Sequence, residues 1–204
     1  MTEDIFVIDS NTEEGSSSPA KYVLIDKEED FIQENVFAKE IVKDPRWFQI
    51  VCEKDGLELS TQRQYFPDLA TAQSNDTYKK SVSIKQGLLT NFLRKFLGDD
   101  AVVKATSWTE LVEQVDTMCK PKYSTTPLRV KLELVEGRGD YAGKFFTNIS
   151  TFAPFENMDT PKAKSKLFVS KVDKEKLAQK LAEDSVTPDS DTGASVDPNI
   201  EATF

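Results

Sequence analysis

The sequence predicts a small antiparallel β-barrel with two inserted helices and a further helix near the C-terminus. The order of its segments leads to this fold class, because stretches with the period-2 alternation of strands lie before and after a helical stretch at residues 84–118. That order fits a closed or partly open barrel better than a parallel sheet, whose strands would alternate regularly with helices. The length of 204 residues suits one such domain with appendages.

The clearest strand pair is a long β-hairpin predicted at residues 128–153. Leucine and valine alternate with charged residues from 128 to 134, as in a strand with one buried face. A glycine-rich connection follows, and then a second alternating strand in which Phe145 and Ile149 share one face. If that face and the leucines form the core, the outer face presents Arg129, Lys131, Phe146 and Phe152. Cations mixed with exposed aromatic rings suit a sugar-phosphate backbone with unstacked bases.

The strands before the helices are predicted from shorter patterns. Residues 46–53 are rich in aromatic and β-branched side chains, and Asp55 with Gly56 then forms a strong hairpin turn signal. Residues 57–66 return as the second strand of this hairpin. Less regular segments surround the pair: a short strand at 22–25, irregular or β structure at 27–43, and a polar loop at 67–82.

Helix signals are clearest between the two groups of strands. Residues 84–97 carry apolar side chains at helical spacing and end at a glycine, a typical C-terminal cap. Ser107 and Glu110 match a capping box that starts a second helix, which runs to about residue 118. Two elements are predicted after the hairpin: a short strand at 166–172, and a charged helix at 173–183 capped by Asp173.

Charge divides the chain into a body and two acidic tails. Residues 1–20 carry five acidic side chains and no basic one, and residues 182–204 carry six acidic and no basic ones. The body between them holds 26 basic and 24 acidic side chains, so the net charge of −9 does not argue against an anionic ligand for the body. We expect a disordered or loosely attached segment at 1–20, one domain at 21–183 and a disordered acidic tail at 184–204.

The sequence lacks the residues that several classes of function need. The chain contains no histidine, which removes histidine-based triads and the commonest metal ligand, and it shows no phosphate-binding or nucleophile-elbow motif. Its two cysteines, Cys52 and Cys119, are far apart and follow no metal-binding spacing. Residues 1–20 are acidic and do not have the basic and apolar regions expected of a signal peptide, and the sequence shows no apolar run of membrane length. We therefore expect a cytoplasmic binding protein that is not an enzyme and needs no metal or cofactor.

Over about residues 22–155 the chain resembles the OB-fold single-stranded DNA-binding proteins of bacteriophage replication systems. The resemblance rests on a first β segment, a turn, an intervening helical region and a final basic hairpin that returns through GKFFTN at 143–148. Proteins of this kind often end in an acidic segment with a terminal aromatic residue, and this chain ends in Phe204 after Asp197 and Glu201. The resemblance implies that such a tail recruits replication or recombination proteins and competes with DNA.

These observations predict a single-stranded DNA-binding protein of a phage replication or recombination system, working in the cytoplasm of an infected host without a membrane partner. The candidate DNA contacts are Arg129, Lys131, Tyr141, Lys144, Phe146, Phe152, Trp47 and Tyr65. Core packing is the alternative for the strand aromatics, and a solvated face is the alternative for the two hairpin cations. Two other functions stay open: a phage structural or assembly protein that packs against copies of itself, and a small adaptor for replication enzymes.

Overall fold

The computed structural model describes residues 25–186. The predicted segment at 1–20, the first three residues of the strand predicted at 22–25, and the tail beyond residue 186 lie outside this range. Ile25, the last residue of that predicted strand, is fully buried but is not in a strand. Within residues 25–186, none of the helices combines the length and the apolarity needed to cross a membrane.

One long strand, interrupted by irregularities in its pairing, is central to the sheet. Strand β1 (Ile32–Asp44) pairs with β2 (Trp47–Lys54) through residues 37–44, and β2 pairs with β3 (Leu57–Ser60). Both residues of the turn between β2 and β3, Asp55 and Gly56, have positive φ angles of 53° and 76°. A two-residue hairpin turn of this kind needs positive φ at both positions, so the predicted turn is confirmed. The β structure predicted within 27–43 is confirmed by β1.

The barrel closes through the hairpin that the sequence predicted. Strands β5 (Leu128–Glu136) and β6 (Phe145–Ile149) pair with each other, and β5 also pairs with residues 32–36 of β1. A parallel bridge between Thr61 and Ile149 then joins the end of β3 to the end of β6. Short strands β4 (Gln64–Tyr65) and β7 (Phe155–Asn157) extend the sheet on β2 and β5.

The result is a nearly closed antiparallel barrel of OB-like topology, as predicted. Its five main strands are β1, β2, β3, β5 and β6, in the order β3-β2-β1-β5-β6. The core combines side chains of these strands with the apolar faces of the helices.

Two helices lie between β4 and β5. Helix α1 (Asn75–Leu97) buries Leu88, Leu89, Phe92, Leu93 and Phe96, the residues that set its predicted period. It begins nine residues earlier than predicted because Ser74 caps it by accepting a hydrogen bond from Thr77 N, so residues 75–82 are helix rather than loop. Helix α2 (Trp108–Cys119) is capped by Ser107 as predicted.

The C-terminal region differs from the prediction at its start. Residues 166–170 form no strand, and helix α3 begins at Lys171 and runs to Val186. Ser170 caps this helix rather than Asp173, because Ser170 Oγ accepts from Asp173 N at 3.2 Å while the Asp173 carboxylate accepts from Ser170 N at 2.8 Å. Helix α3 packs against β5, where Lys176 Nζ donates to Leu134 O.

Candidate nucleic-acid interface

The two cations expected on the outer face of the hairpin are buried in ion pairs. Arg129 is 4% exposed, and its guanidinium donates to Glu156 Oε2 at 2.6 Å and to Glu34 Oε1 at 3.2 Å. Lys131 is 8% exposed, and its ammonium donates to Asp173 Oδ2 at 2.5 Å. The prediction of an exposed pair is wrong, because carboxylates from β1, β7 and α3 lie against these two side chains.

The pKa values of these carboxyl groups reflect the pairing. Burial raises the pKa of Glu156 and of Asp173, but hydrogen bonds outweigh it, and both pKa values lie below the ordinary range. The donors include Lys166 N and Arg129 for Glu156, and Lys131 and Ser170 for Asp173. Both cations are thus charge-matched within the domain. We infer that they hold the C-terminal region on the barrel rather than contact a ligand.

An exposed aromatic group lies where β1 turns into β2. Trp47 opens β2 and is the direct cross-strand partner of Tyr65, which is 46% exposed. The guanidinium carbon of Arg63 lies 4.7 Å from the centre of the Trp47 ring system, in a cation–π contact. We call Trp47, Arg63 and Tyr65 the Trp47 cluster. Arg63 was not predicted as a contact, although it shares one face of the predicted strand with Tyr65.

A second aromatic group occupies the connection between β5 and β6. The rings of Tyr141 and Phe146 meet edge to face with centroids 6.1 Å apart, and Lys144 Nζ lies 5.7 Å from the Tyr141 centroid. Phe146 is 44% exposed and Lys144 is exposed. We call Tyr141, Lys144 and Phe146 the Tyr141 cluster. All three are residues that the sequence predicted as nucleic-acid contacts, and the structure brings them together.

The strand register places the two clusters at opposite ends of one sheet surface. Trp47 is the first residue of β2, whereas Lys54, its last, pairs with Leu57 at the turn into β3. Since Thr61 at the end of β3 lies beside Ile149 at the end of β6 in a parallel bridge, the start of β6 lies towards that turn. At about 3.3 Å per residue, the eight residues of β2 separate the two ends by roughly 23 Å.

The sheet surface between the clusters is acidic. Glu53 and Glu58 are direct cross-strand neighbours and are both exposed, and the exposed Glu40 lies opposite Val51, two residues before Glu53. Lys39 pairs with Glu58 at 2.9 Å, and its pKa is raised by that hydrogen bond and by the surrounding carboxylates. Like charges in direct cross-strand positions repel each other. This surface also repels phosphate groups.

Phe152, another predicted contact, belongs to neither cluster and lines a separate pocket. It is 72% exposed and lines a cavity of about 540 Å³ together with Phe168, which is 70% exposed, and Val172, which is 57% exposed. Glu133 also lines the cavity, and burial raises its pKa against the opposing effects of Lys176 and Ser150. We call this cavity the Phe152 pocket. Phe168 was not predicted as exposed, because it falls in the segment assigned to a strand.

The tail residues expected to bind partners, Asp197, Glu201 and Phe204, lie outside the described residues. In the part of the chain that the structure covers, no group of three or more cysteine and acidic side chains is placed to hold a metal ion. Comparisons of this chain with known protein families, with characterised proteins and with solved structures find no match.

Proposed function

We propose that this protein binds single-stranded DNA through the Trp47 cluster and the Tyr141 cluster, in a phage replication or recombination system. One observation carries the proposal, namely the position of the clusters in the barrel. OB barrels bind oligonucleotides with the face of their second and third strands and with the connections between their first and second and between their fourth and fifth strands. The Trp47 cluster adjoins the first of these connections and the Tyr141 cluster forms the second.

The chemistry of both clusters supports an unstacked, anionic ligand. Each combines aromatic rings with a cation, Arg63 or Lys144, that can approach a phosphate while a base stacks on the ring. Base–aromatic stacking contributes about 1–3 kcal/mol per base and tolerates any sequence, because every base has a π-face. A duplex hides those faces, so the clusters favour single strands.

Titration of fluorescent oligonucleotides tests the proposal. We expect salt-dependent binding of single strands at low ionic strength, with weaker binding of the same sequence as a duplex. Tyr141→Ala and Phe146→Ala should each weaken binding by about 1–3 kcal/mol. Leu69→Ala is the matched control, because Leu69 is 55% exposed but belongs to neither cluster. A wild-type protein that binds no single strand at low salt would refute the function.

The acidic tail is a second part of the proposal. We expect it to compete with DNA and to recruit replication or recombination proteins, as the resemblance implies. Since α3 runs to Val186, a truncation after this residue removes the tail and keeps the helix. The truncated protein should bind single strands more tightly, and unchanged affinity would refute the competition alone.

A structural or assembly protein is the second candidate. It is favoured by Phe152, Phe168 and Val172, three large apolar side chains that are more than half exposed and share one pocket. Exposed apolar groups of this kind mark protein contacts as well as ligand sites. Light scattering distinguishes the candidates: self-association that disappears in Phe152→Ser and Phe168→Ser, together with no DNA binding, would support assembly.

A further inference from the structure

A groove lies between α1 and residues 153–167. It has a volume of about 790 Å³. Its basic side chains outnumber its acidic ones, and the basic ones are Lys79, Arg94, Lys95 and Lys166. The acidic ones are Asp99 and Glu156, but the Glu156 carboxylate already accepts from Arg129 and from the backbone of Lys166. The groove therefore presents an excess of positive charge.

Gly87 lines this groove in the middle of α1. Its backbone is helical and does not need glycine, and a Cβ atom at this position would meet nothing within 4 Å. A helix with glycine at an interior position is less stable than one with alanine there, so helix stability does not explain Gly87. What the glycine does provide is an open groove surface. This is the property expected where a ligand approaches a helix backbone closely.

Helix stability does not explain all of the positive charge either. Arg94 and Lys95 lie in the last turn of α1, where cations interact favourably with the helix dipole. Lys79 lies near the N-terminal end of the same helix, where a cation has no such benefit. Among the described residues, the side chains of Lys79, Arg94 and Lys166 form no ion pair with a carboxylate. These three charges point to an anionic partner.

We propose that this groove, the α1 groove, binds the sugar-phosphate backbone of the same single strand that contacts the barrel clusters. The inference rests on the proposed function and adds the place where phosphates are neutralised. The barrel surface between the clusters is acidic, and one cation contacts an aromatic ring in each cluster. Lys166 lines both the α1 groove and the Phe152 pocket, so a strand that leaves the groove there meets the exposed Phe152 ring.

Three substitutions of Gly87 test the groove without removing any native contact. Gly87→Ala should raise the melting temperature, and its single methyl group should weaken binding of a long single strand only slightly. Gly87→Gln fills the groove with a neutral side chain, and Gly87→Glu fills it with a similar, charged one. We expect Gly87→Gln to weaken binding several-fold and Gly87→Glu to weaken it about tenfold or more, since the carboxylate repels phosphate.

The salt dependence of binding gives an independent measurement. A triple variant, Lys79→Gln, Arg94→Gln and Lys166→Gln, removes three phosphate contacts. The slope of log affinity against log salt should then fall in magnitude by about 2, at about 0.7 per contact on a single strand. The control triple, Lys104→Gln, Lys120→Gln and Lys171→Gln, changes the net charge equally at exposed positions that do not line the α1 groove. Its slope should change by much less.

The possible results separate this inference from the proposed function. If Tyr141→Ala weakens binding while Gly87→Glu and the groove triple do not, the groove inference is overturned and the function stands. If the wild-type protein binds no single strand, both fall together. If the groove variants lose duplex DNA or an acidic peptide as strongly as single strands, the commitment to a single strand is wrong.

Discussion

The ammonium of Lys131 and the carboxylate of Asp173 form a buried ion pair across 42 residues of sequence. Lys131 extends from the outer face of β5, and Asp173 lies in the first turn of α3, where it also binds the capping residue Ser170. One carboxylate therefore completes the start of the helix and fixes the helix to the barrel. The side chain of Lys131, which the sequence predicted on an exposed basic surface, is therefore buried under α3.

Breaking this pair on one side should destabilise the domain. Asp173→Asn leaves the buried Lys131 ammonium without the carboxylate that it contacts, and a loss of about 3–5 kcal/mol in the free energy of unfolding is expected. The double variant with Lys131→Met should recover most of it, because no unpaired charge remains. Urea denaturation at pH 7 measures both. Lys174→Ala is the control, since its bridge to Glu28 is half exposed and should contribute at most about 1 kcal/mol.

The same carboxyl group predicts an acid limit. Burial raises the pKa of Asp173, but the hydrogen bonds from Lys131 and Ser170 lower it more, so its pKa in the folded state lies below that in the unfolded chain. Its stabilisation is therefore fully present above the unfolded pKa of about 3.9 and is lost as the pH falls through the folded value. Between these pH values the wild type should lose stability faster than Asp173→Asn, in urea denaturation series at each pH.

Glu133 predicts the opposite dependence. Burial raises its pKa above the ordinary value, so the folded state binds this proton more tightly than the unfolded chain does. The resulting stabilisation is present below the unfolded pKa and is lost as the pH rises through the folded one. Glu133→Gln, which resembles the protonated form, should be more stable than the wild type at pH 7, with a smaller difference at pH 4. A Gln variant that is less stable at pH 7 would contradict this.

The sequence predicted the barrel because its evidence is local. Alternation over 128–134, the Asp55–Gly56 turn and the apolar spacing of 84–97 each lie within one element and agree with one another. The Tyr141 cluster could be selected for the same reason, since Tyr141, Lys144 and Phe146 lie close together in a single connection.

Local sequence patterns could not predict which residues cover the outer face of β5. Arg129 pairs with Glu156, 27 residues away in sequence, and with Glu34, 95 residues away. The partner of Lys131 is 42 residues away. A period-2 pattern separates two faces of a strand but does not show which of them a distant helix covers. The α1 groove escaped prediction similarly, because it forms between elements and its central residue, Gly87, has no side chain.

Binding should change the fluorescence of one of the two tryptophans. Trp47 is partly exposed in a proposed DNA-binding cluster, whereas Trp108 is stacked on Phe66 against the core. A base that stacks on Trp47 should quench its emission. Trp108→Phe should therefore keep the quenching by single-stranded DNA, and Trp47→Phe should lose it. Quenching that follows Trp108 instead would place the contact elsewhere.

Both thiols should be unreactive in the folded protein. Cys52 and Cys119 are fully buried, and burial raises the pKa of each to about 12. Because the thiolate is the nucleophile, a disulfide reagent should modify them only at the rate of unfolding. A colorimetric thiol assay with and without denaturant measures this. Rapid modification of either cysteine without denaturant would show local opening of the core around it.

Gly137 links the barrel to the Tyr141 cluster. A Cβ atom there would lie 2.3 Å from Tyr141 O and 2.9 Å from the Phe146 ring, and the backbone oxygen cannot move without shifting the connection. Gly137→Ala should therefore cost about 1–3 kcal/mol in stability and displace both rings. If these rings stack on bases, affinity for single-stranded DNA should fall as well.

Gly56→Ala is the control that separates stability from binding. Gly56 has a φ angle of 76° and no neighbour that a Cβ would meet within 4 Å, so alanine there strains the backbone without touching another residue. A loss of about 1–2 kcal/mol in stability is expected, similar to that of Gly137→Ala. Because the β2–β3 turn contains none of the proposed contacts, its affinity should match that of the wild type at temperatures where both are folded. Equal losses of affinity in the two variants would show that Gly137→Ala acts through stability alone, and would remove its support for the Tyr141 cluster.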